Sequence, residues 1–196
     1  MVKSGLIDMP RVSHYRLAAH LLLALFILAY LFWMILDLCA VKRCPSRSRW
    51  VVWSLAAVAG LQLFYGALTA GIRAGYGFNT FPKMLDKWVA DAVFFMQPWW
   101  INLFESSATI QFVHRWLGAA LLVLSFATWL TLRSADSRLK WAAAMVFGAI
   151  MIQFTLGVLT LVHVVPIGLA SLHQAWACVM LLSIVHLLYI TSPSRR

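Results

Sequence analysis

Residues 141–162 read WAAAMVFGAIMIQFTLGVLTLV, and none of them is Asp, Glu, Lys or Arg. A bilayer core of roughly 30 Å is crossed by about 20 helical residues, so this stretch by itself points to a chain that lives in lipid. Working outward, 17–36, 50–72 and 116–132 are equally free of charge, and a fifth run, 164–194, has room for one more helix. A composition of 63% hydrophobic and 11% charged residues in a 196-residue chain could also describe a large buried core. That reading fails because a soluble surface needs more charge and because the apolar residues form unbroken runs. In lipid the backbone must satisfy its own polar groups, which at this density means helices. The expected fold is all-α: a polytopic membrane protein with five transmembrane helices at about 14–37, 50–72, 108–132, 140–163 and 167–190. Four of these, the second to the fifth, form one antiparallel four-helix bundle.

The net charge of +10 first suggests nucleic acid. The basic residues flank the apolar runs rather than forming a binding face, so they read as topology signals and nucleic acid is not an expected partner. Lys42, Arg43, Arg47, Arg49, Arg133, Arg138, Lys140, Arg195 and Arg196 fall on one side with only Asp37 and Asp136. The other side carries seven Lys/Arg against four acids. The positive-inside rule then puts the N-terminus outside and the C-terminus in the cytoplasm. The first dozen residues, MVKSGLIDMPRV, have no apolar signal-peptide core, and an outside start without a signal reads as a piece of a longer protein. Cys39, Cys44 and Cys178 are too few and too scattered for a disulfide framework or a zinc site.

The link at 73–107 is long for a helical bundle and rich in aromatics. Residues 83–97 are expected to form a short helix on the membrane surface, acting as an aromatic anchor, as a lid over an outer site, or as both. There is also an internal repeat. Gln62, Gly66, Leu68 and Thr69 in the second span match Gln153, Gly157, Leu159 and Thr160 in the fourth, both as Q-x-x-x-G-x-L-T. Gln and Gly four apart share a helix face, where glycine permits close helix approach.

Three of the six histidines share a geometry. Counted from outer helix starts at 14, 108 and 167, His20, His114 and His173 each lie six residues in, roughly 9 Å deep at 1.5 Å per residue. A buried imidazole in hydrocarbon needs a partner, and neutral histidine readily ligates heme iron. Two at one depth on neighbouring helices can clamp a heme; hydrogen bonding to a neighbouring helix is the alternative for each. Ser107, Gln111, Gly118 and Ser125 on the His114 face would leave room for a flat macrocycle, and Arg115 could pair with a propionate. His14 and His163 read as interfacial residues, and His186 as a packing residue near the inner end.

These residues resemble the heme A synthases of the proteobacterial and mitochondrial type. Tyr76-Gly77-Phe78-Asn79-Thr80-Phe81-Pro82-Lys83-Met84 is similar to their Y-N-T-F-P-L-M segment, with Gly77 and Phe78 as a departure. Trp99-Trp100-Ile101-Asn102-Leu103-Phe104-Glu105 resembles P-W-x-x-N-x-F-E, and Gln111-Phe112-Val113-His114-Arg115 matches Q-F-x-H-R. Gln153, Leu156-Gly157, Leu159-Thr160, Val165-Pro166 and His173-Gln174 resemble the family's last two helices, while residues 1–6, Ser13–Leu17 and His20-Leu21 resemble the approach to its fourth helix.

The resemblance implies helices four to eight of a fold built from two pseudo-symmetric four-helix bundles. Residues 1–49 would then be the last helix of an otherwise missing N-terminal bundle plus a cytoplasmic basic loop, and 50–196 a C-terminal heme-binding bundle. It implies heme b as cofactor with His114 and His173 as axial ligands, and His20 as a ligand of the substrate heme in the incomplete half. It also implies oxidation of the C8 methyl of heme O to heme A for cytochrome oxidase, in a bacterial inner membrane rather than a mitochondrial one. Heme O synthase and cytochrome oxidase assembly factors are the partners it brings to mind; it names neither a catalytic residue nor the electron donor. With the first three helices missing, the chain is expected to be inactive alone. A stand-alone b-type membrane cytochrome and a heme-free structural membrane protein are the alternatives.

Overall fold

The computed structural model describes residues 13–193. The expectations placed on residues 1–12 and on the basic tail at 195–196 lie outside the described residues. Among the described residues there are six α-helices: α1 His14–Leu38, α2 Arg49–Gly71, the single-turn α3 Asn102–Glu105, α4 Ser107–Leu132, α5 Ser137–Val162 and α6 Ile167–Thr191. Five of them, all but α3, are long and apolar enough to cross a membrane. Their ends fall close to the expected ones. α5 starts earlier than expected, at Ser137, because the Asp136 carboxylate caps it by accepting from the Arg138 N–H at 2.9 Å. Ser106 caps α4 by accepting from the Thr109 N–H.

α2, α4, α5 and α6 pack in a ring, each against the next, with α2 closing on α6; α1 lies outside the ring in the crease between α2 and α6. The half of the bundle toward the α1–α2 link is solid. Val52, Leu55, Leu121, Leu132, Val146, Ile150, Met180, Ile184 and Leu187 are fully buried there. Buried Ala59, Ala142 and Ala143 let the helix backbones approach, the usual basis of helix association where lipid removes the hydrophobic drive. The Trp176 Nε1–H adds an interhelical bond to the Ala149 carbonyl at 2.9 Å.

At the solid end, a polar clasp ties the α1–α2 link to the end of α6. Arg43 donates to Asp37 at 2.6 Å, to Ser192 Oγ at 3.1 Å and to the Pro193 carbonyl at 2.7 Å, and lies 4.4 Å over the Tyr189 ring. The Tyr189 hydroxyl donates to the same Asp37 at 3.0 Å.

The surface helix expected at 83–97 is not there. The segment is a series of turns, with an isolated bridge between Met84 and Lys87. Local polar bonding wins over helix: the Thr80 hydroxyl accepts the Leu85 N–H at 2.6 Å and donates to the Lys83 carbonyl at 2.8 Å. Leu85 and Phe94 also adopt left-handed φ of 59° and 60°, which interrupts any helical run. Fully buried Asn102 anchors the end of this loop. Its side chain accepts from the Met96 N–H at 2.9 Å and donates to the Met96 and Trp99 carbonyls at 2.7 and 2.8 Å.

Candidate functional site

The half of the bundle toward the 72–101 link is hollow where the other half is filled. A cavity of about 270 Å³ lies between α2, α4, α5 and α6, with Leu121, Ile150 and Met180 among its lining residues, where it meets the solid core. Residues four apart on a helix share a face, so each of the four helices presents a pair: Gln62 and Gly66, His114 and Gly118, Gln153 and Gly157, His173 and Ala177.

These pairs form two matching cradles. The Gln62 Nε2 lies 3.5 Å from His114 Nε2, and the Gln153 Nε2 lies 3.5 Å from His173 Nε2. Each imidazole lies close against a glycine, its Cε1 nearest. A Cβ on Gly66 would come 3.2 Å from His114 Cε1, and one on Gly157 would come 3.0 Å from His173 Cε1. Any other residue would push the ring away, so the repeat noticed in the sequence serves the histidines rather than helix packing alone. With the amide N–H donating, each ring accepts at Nε2 and keeps its proton on Nδ1. His114 Nδ1, His173 Nδ1, Gln62 Oε1 and Gln153 Oε1 are all buried with no partner. Such orphans are few in native proteins and each asks for an explanation; here four of them stand in pairs about one cavity. Among the described residues no three His, Cys, Asp or Glu converge as a metal-binding group, and His114 and His173 are the two imidazoles on the cavity wall.

Of the residues singled out in the sequence, His114, His173 and Arg115 come together on this cavity; His20 does not. His20 is exposed on α1, which presents Leu21 and Leu25 to the cavity instead. Gly118 lines the cavity, while Ser125 is buried with its hydroxyl on the Leu122 carbonyl, and neither it nor Ser107 reaches the lining. His14 Nε2 bonds the Phe104 carbonyl at 3.1 Å, exposed His163 bonds its own helix at the Leu159 carbonyl, and His186 is half-buried in α6.

Arg115 holds the loop at the cavity mouth. Its terminal nitrogens donate to the carbonyls of Thr80 at 2.7 Å, Lys83 at 3.2 Å and Phe78 at 2.6 Å. Gln111, one turn away, donates to the carbonyls of Ala74 at 3.1 Å and Phe78 at 3.3 Å. Asn79 bonds the Gly75 and Leu161 carbonyls. The mouth is thus covered by a strap of chain at 74–83 fixed from α4 and α5. Three site residues escaped the sequence reading. Gln62 and Gln153 were visible as a repeat at the depth of the histidines, and Arg73 carried no signal beyond its place at a helix end.

The chain is similar to known proteins along nearly its whole length. The family model described as cytochrome oxidase assembly protein, COX15-CtaA, matches residues 1–185. A heme A synthase from Rhodopseudomonas palustris (strain HaA2) is 42% identical over 98% of this chain and 54% of its own length. Heme A synthases from Wolbachia pipientis wMel and Bradyrhizobium diazoefficiens are 38% and 41% identical, each over 92% of this chain and about half of their own length. The chain therefore spans about half the length of the curated relatives it matches, in their C-terminal portion. No solved structure matches it. Five apolar helices and a family match along nearly the whole chain lead to one statement of kinship: the protein belongs to the COX15-CtaA family of cytochrome oxidase assembly proteins.

Proposed function

We propose that this chain is the heme-binding C-terminal part of a heme A synthase, holding a heme b between His114 and His173. The observation that carries the reading is the twinned cradle: two imidazoles on one cavity, each backed by a glycine and each with an amide at its Nε2. The residues fit the group. His114 and His173 would hold the iron through their imidazole nitrogens, and the largely apolar walls of the cavity suit a mostly apolar macrocycle. Bound there, a heme would supply one-electron transfer toward a substrate heme. The chain's own contribution is placement. Gly66 and Gly157 set where the rings stand, and the packed residues below exclude water from the inner side. The strap at 74–83, tied to Arg115 and Gln111, covers the outer side.

In this reading α1 is the last helix of a second bundle, and residues 50–196 are the unit that holds the cofactor. The exposed His20 then faces that second bundle, where it ligates the substrate heme; its exposure on a helix that crosses lipid supports this, since a lone imidazole in hydrocarbon is costly. Conversion of heme O to heme A belongs to the complete enzyme, in a bacterial inner membrane with the cavity toward the outside and the basic links in the cytoplasm.

The test is spectroscopic. The chain purified in detergent with heme should give a six-coordinate, b-type reduced-minus-oxidised spectrum that is lost in both His114→Ala and His173→Ala. A folded chain that takes up no heme would overturn the reading. Supplying the upstream helices and assaying conversion of heme O then separates a synthase part from a stand-alone cytochrome.

A further inference from the structure

The two cradles are alike, but the cavity mouth is not. Counting equally outward from Gln62 and Gln153 reaches Arg73 and Val164, the residues just beyond α2 and α5. Both hold left-handed φ, 58° and 59°. This conformation is uncommon for any residue with a Cβ and most costly for a branched one such as valine. Counting equally along α4 and α6 pairs Arg115 with Gln174. Each comparison places a cation on the α2–α4 side and a neutral residue on the α5–α6 side, so the internal symmetry of the site is broken in charge.

The two cations are not equally available. The terminal nitrogens of Arg115 are committed to Phe78, Thr80, Lys83 and Gln111. Only its Nε lacks an acceptor, and that atom is buried, so Arg115 cannot offer a carboxylate the two parallel N–H bonds that make a strong guanidinium pair. Arg73 is exposed, lines the same cavity, and among the described residues no acceptor bonds its guanidinium. No Asp or Glu lines the cavity either.

We infer that Arg73, rather than Arg115, is the carboxylate-binding residue of this cavity, and that it orients a flat dicarboxylate macrocycle with its acidic edge toward the α2–α4 side of the mouth. The inference rests on the reading of the cavity as a heme site and adds which residue meets the propionates. Arg115 then acts through the strap, as a positioning residue.

The experiment titrates the full chain in detergent with hemin and with hemin dimethyl ester, which has the same ring and iron but no free carboxylate, and follows the Soret band. A partly exposed charge-assisted pair is worth roughly a three- to tenfold change in affinity, so the chain should bind hemin three- to tenfold more tightly than the ester. Arg73→Gln should weaken hemin by that factor and leave the ester unchanged, and Arg73→Lys should restore part of the gap. Arg73→Gly, which suits the left-handed backbone, guards against a folding defect and should behave as Arg73→Gln. Unchanged hemin affinity in Arg73→Gln and Arg73→Gly, or an equal loss for hemin and ester, overturns the assignment. Absence of a Soret band with either ligand in the unaltered chain overturns the heme site itself, and is distinguishable from both.

Discussion

An alanine at Gly66 or Gly157 pits two known effects against each other. In an ordinary helix interior, Gly→Ala stabilises by roughly 0.5–1 kcal/mol, because glycine gives up more backbone freedom on folding. At these two positions the new methyl would stand 3.2 Å from His114 Cε1 and 3.0 Å from His173 Cε1. Non-bonded carbons settle at about 3.5–4.0 Å, so each imidazole must retreat by a few tenths of an ångström, about 0.3–0.5 Å. That is comparable with the whole tolerance of about 0.5 Å within which a preorganised ligand set has to be held. We expect Gly66→Ala and Gly157→Ala each to cut heme affinity about tenfold, with a weakened six-coordinate spectrum, while thermal stability of the heme-free chain changes by less than about 1 kcal/mol. The structure supplies the controls. Gly60 on α2 and Gly148 on α5 have nothing within 4 Å of an added Cβ, so Gly60→Ala and Gly148→Ala should gain helix stability and keep full heme affinity. Equilibrium Soret titration with parallel melts in one detergent decides the matter. Full affinity and an unaltered spectrum in both Gly66→Ala and Gly157→Ala would refute the claim that these glycines seat the ligand imidazoles.

Two further outcomes concern the outer loop. Arg115→Gln removes three bonds to the carbonyls of Phe78, Thr80 and Lys83; hydrogen exchange at 74–85 should speed up by one to two orders of magnitude, as expected for about 1–3 kcal/mol of lost local bonding, with exchange in α5 and α6 unaffected. Asn102→Ala strips partners from the Met96 N–H and from the Met96 and Trp99 carbonyls in a fully buried position, so protease should cut within 94–101 and the melt should fall by about 2–3 kcal/mol, whereas Asn102→Asp, which keeps the acceptor for Met96 N–H, should lose less.

The membrane spans were legible because charge exclusion over twenty residues is a one-dimensional signal: Lys and Arg residues stop near the ends of α2, α4 and α5, and the helices do too. The common depth of His114 and His173 was legible for the same reason, since helix rise converts sequence position into depth. What the spans could not give is rotation about the helix axis. Gln62 and Gln153 were seen as a repeat, yet only the packed bundle shows their amides at the imidazole Nε2 atoms and the glycines against the rings. The loop at 83–97 misled because its aromatics and its Lys87–Asp91 pair, which does form at 2.7 Å, suit a surface helix. The Thr80 side-chain bonds and the left-handed residues that break it are local competitions without periodicity. The sequence pairs Arg115 with a propionate because it follows His114 and sits near the outer boundary; that its guanidinium gathers loop carbonyls depends on the path of a segment more than thirty residues away in sequence.

The clasp of Arg43, Asp37 and Tyr189 lies at the opposite end of the molecule from the cavity, yet it governs how the cavity can be approached. Because it bolts the foot of α1 to the foot of α6, those two helices keep one spacing at that end. On the heme reading proposed above, a second bundle seated against α1 would be held at a set spacing from the imidazoles there, which would favour electron crossing at a constant rate rather than in bursts as a linker wanders.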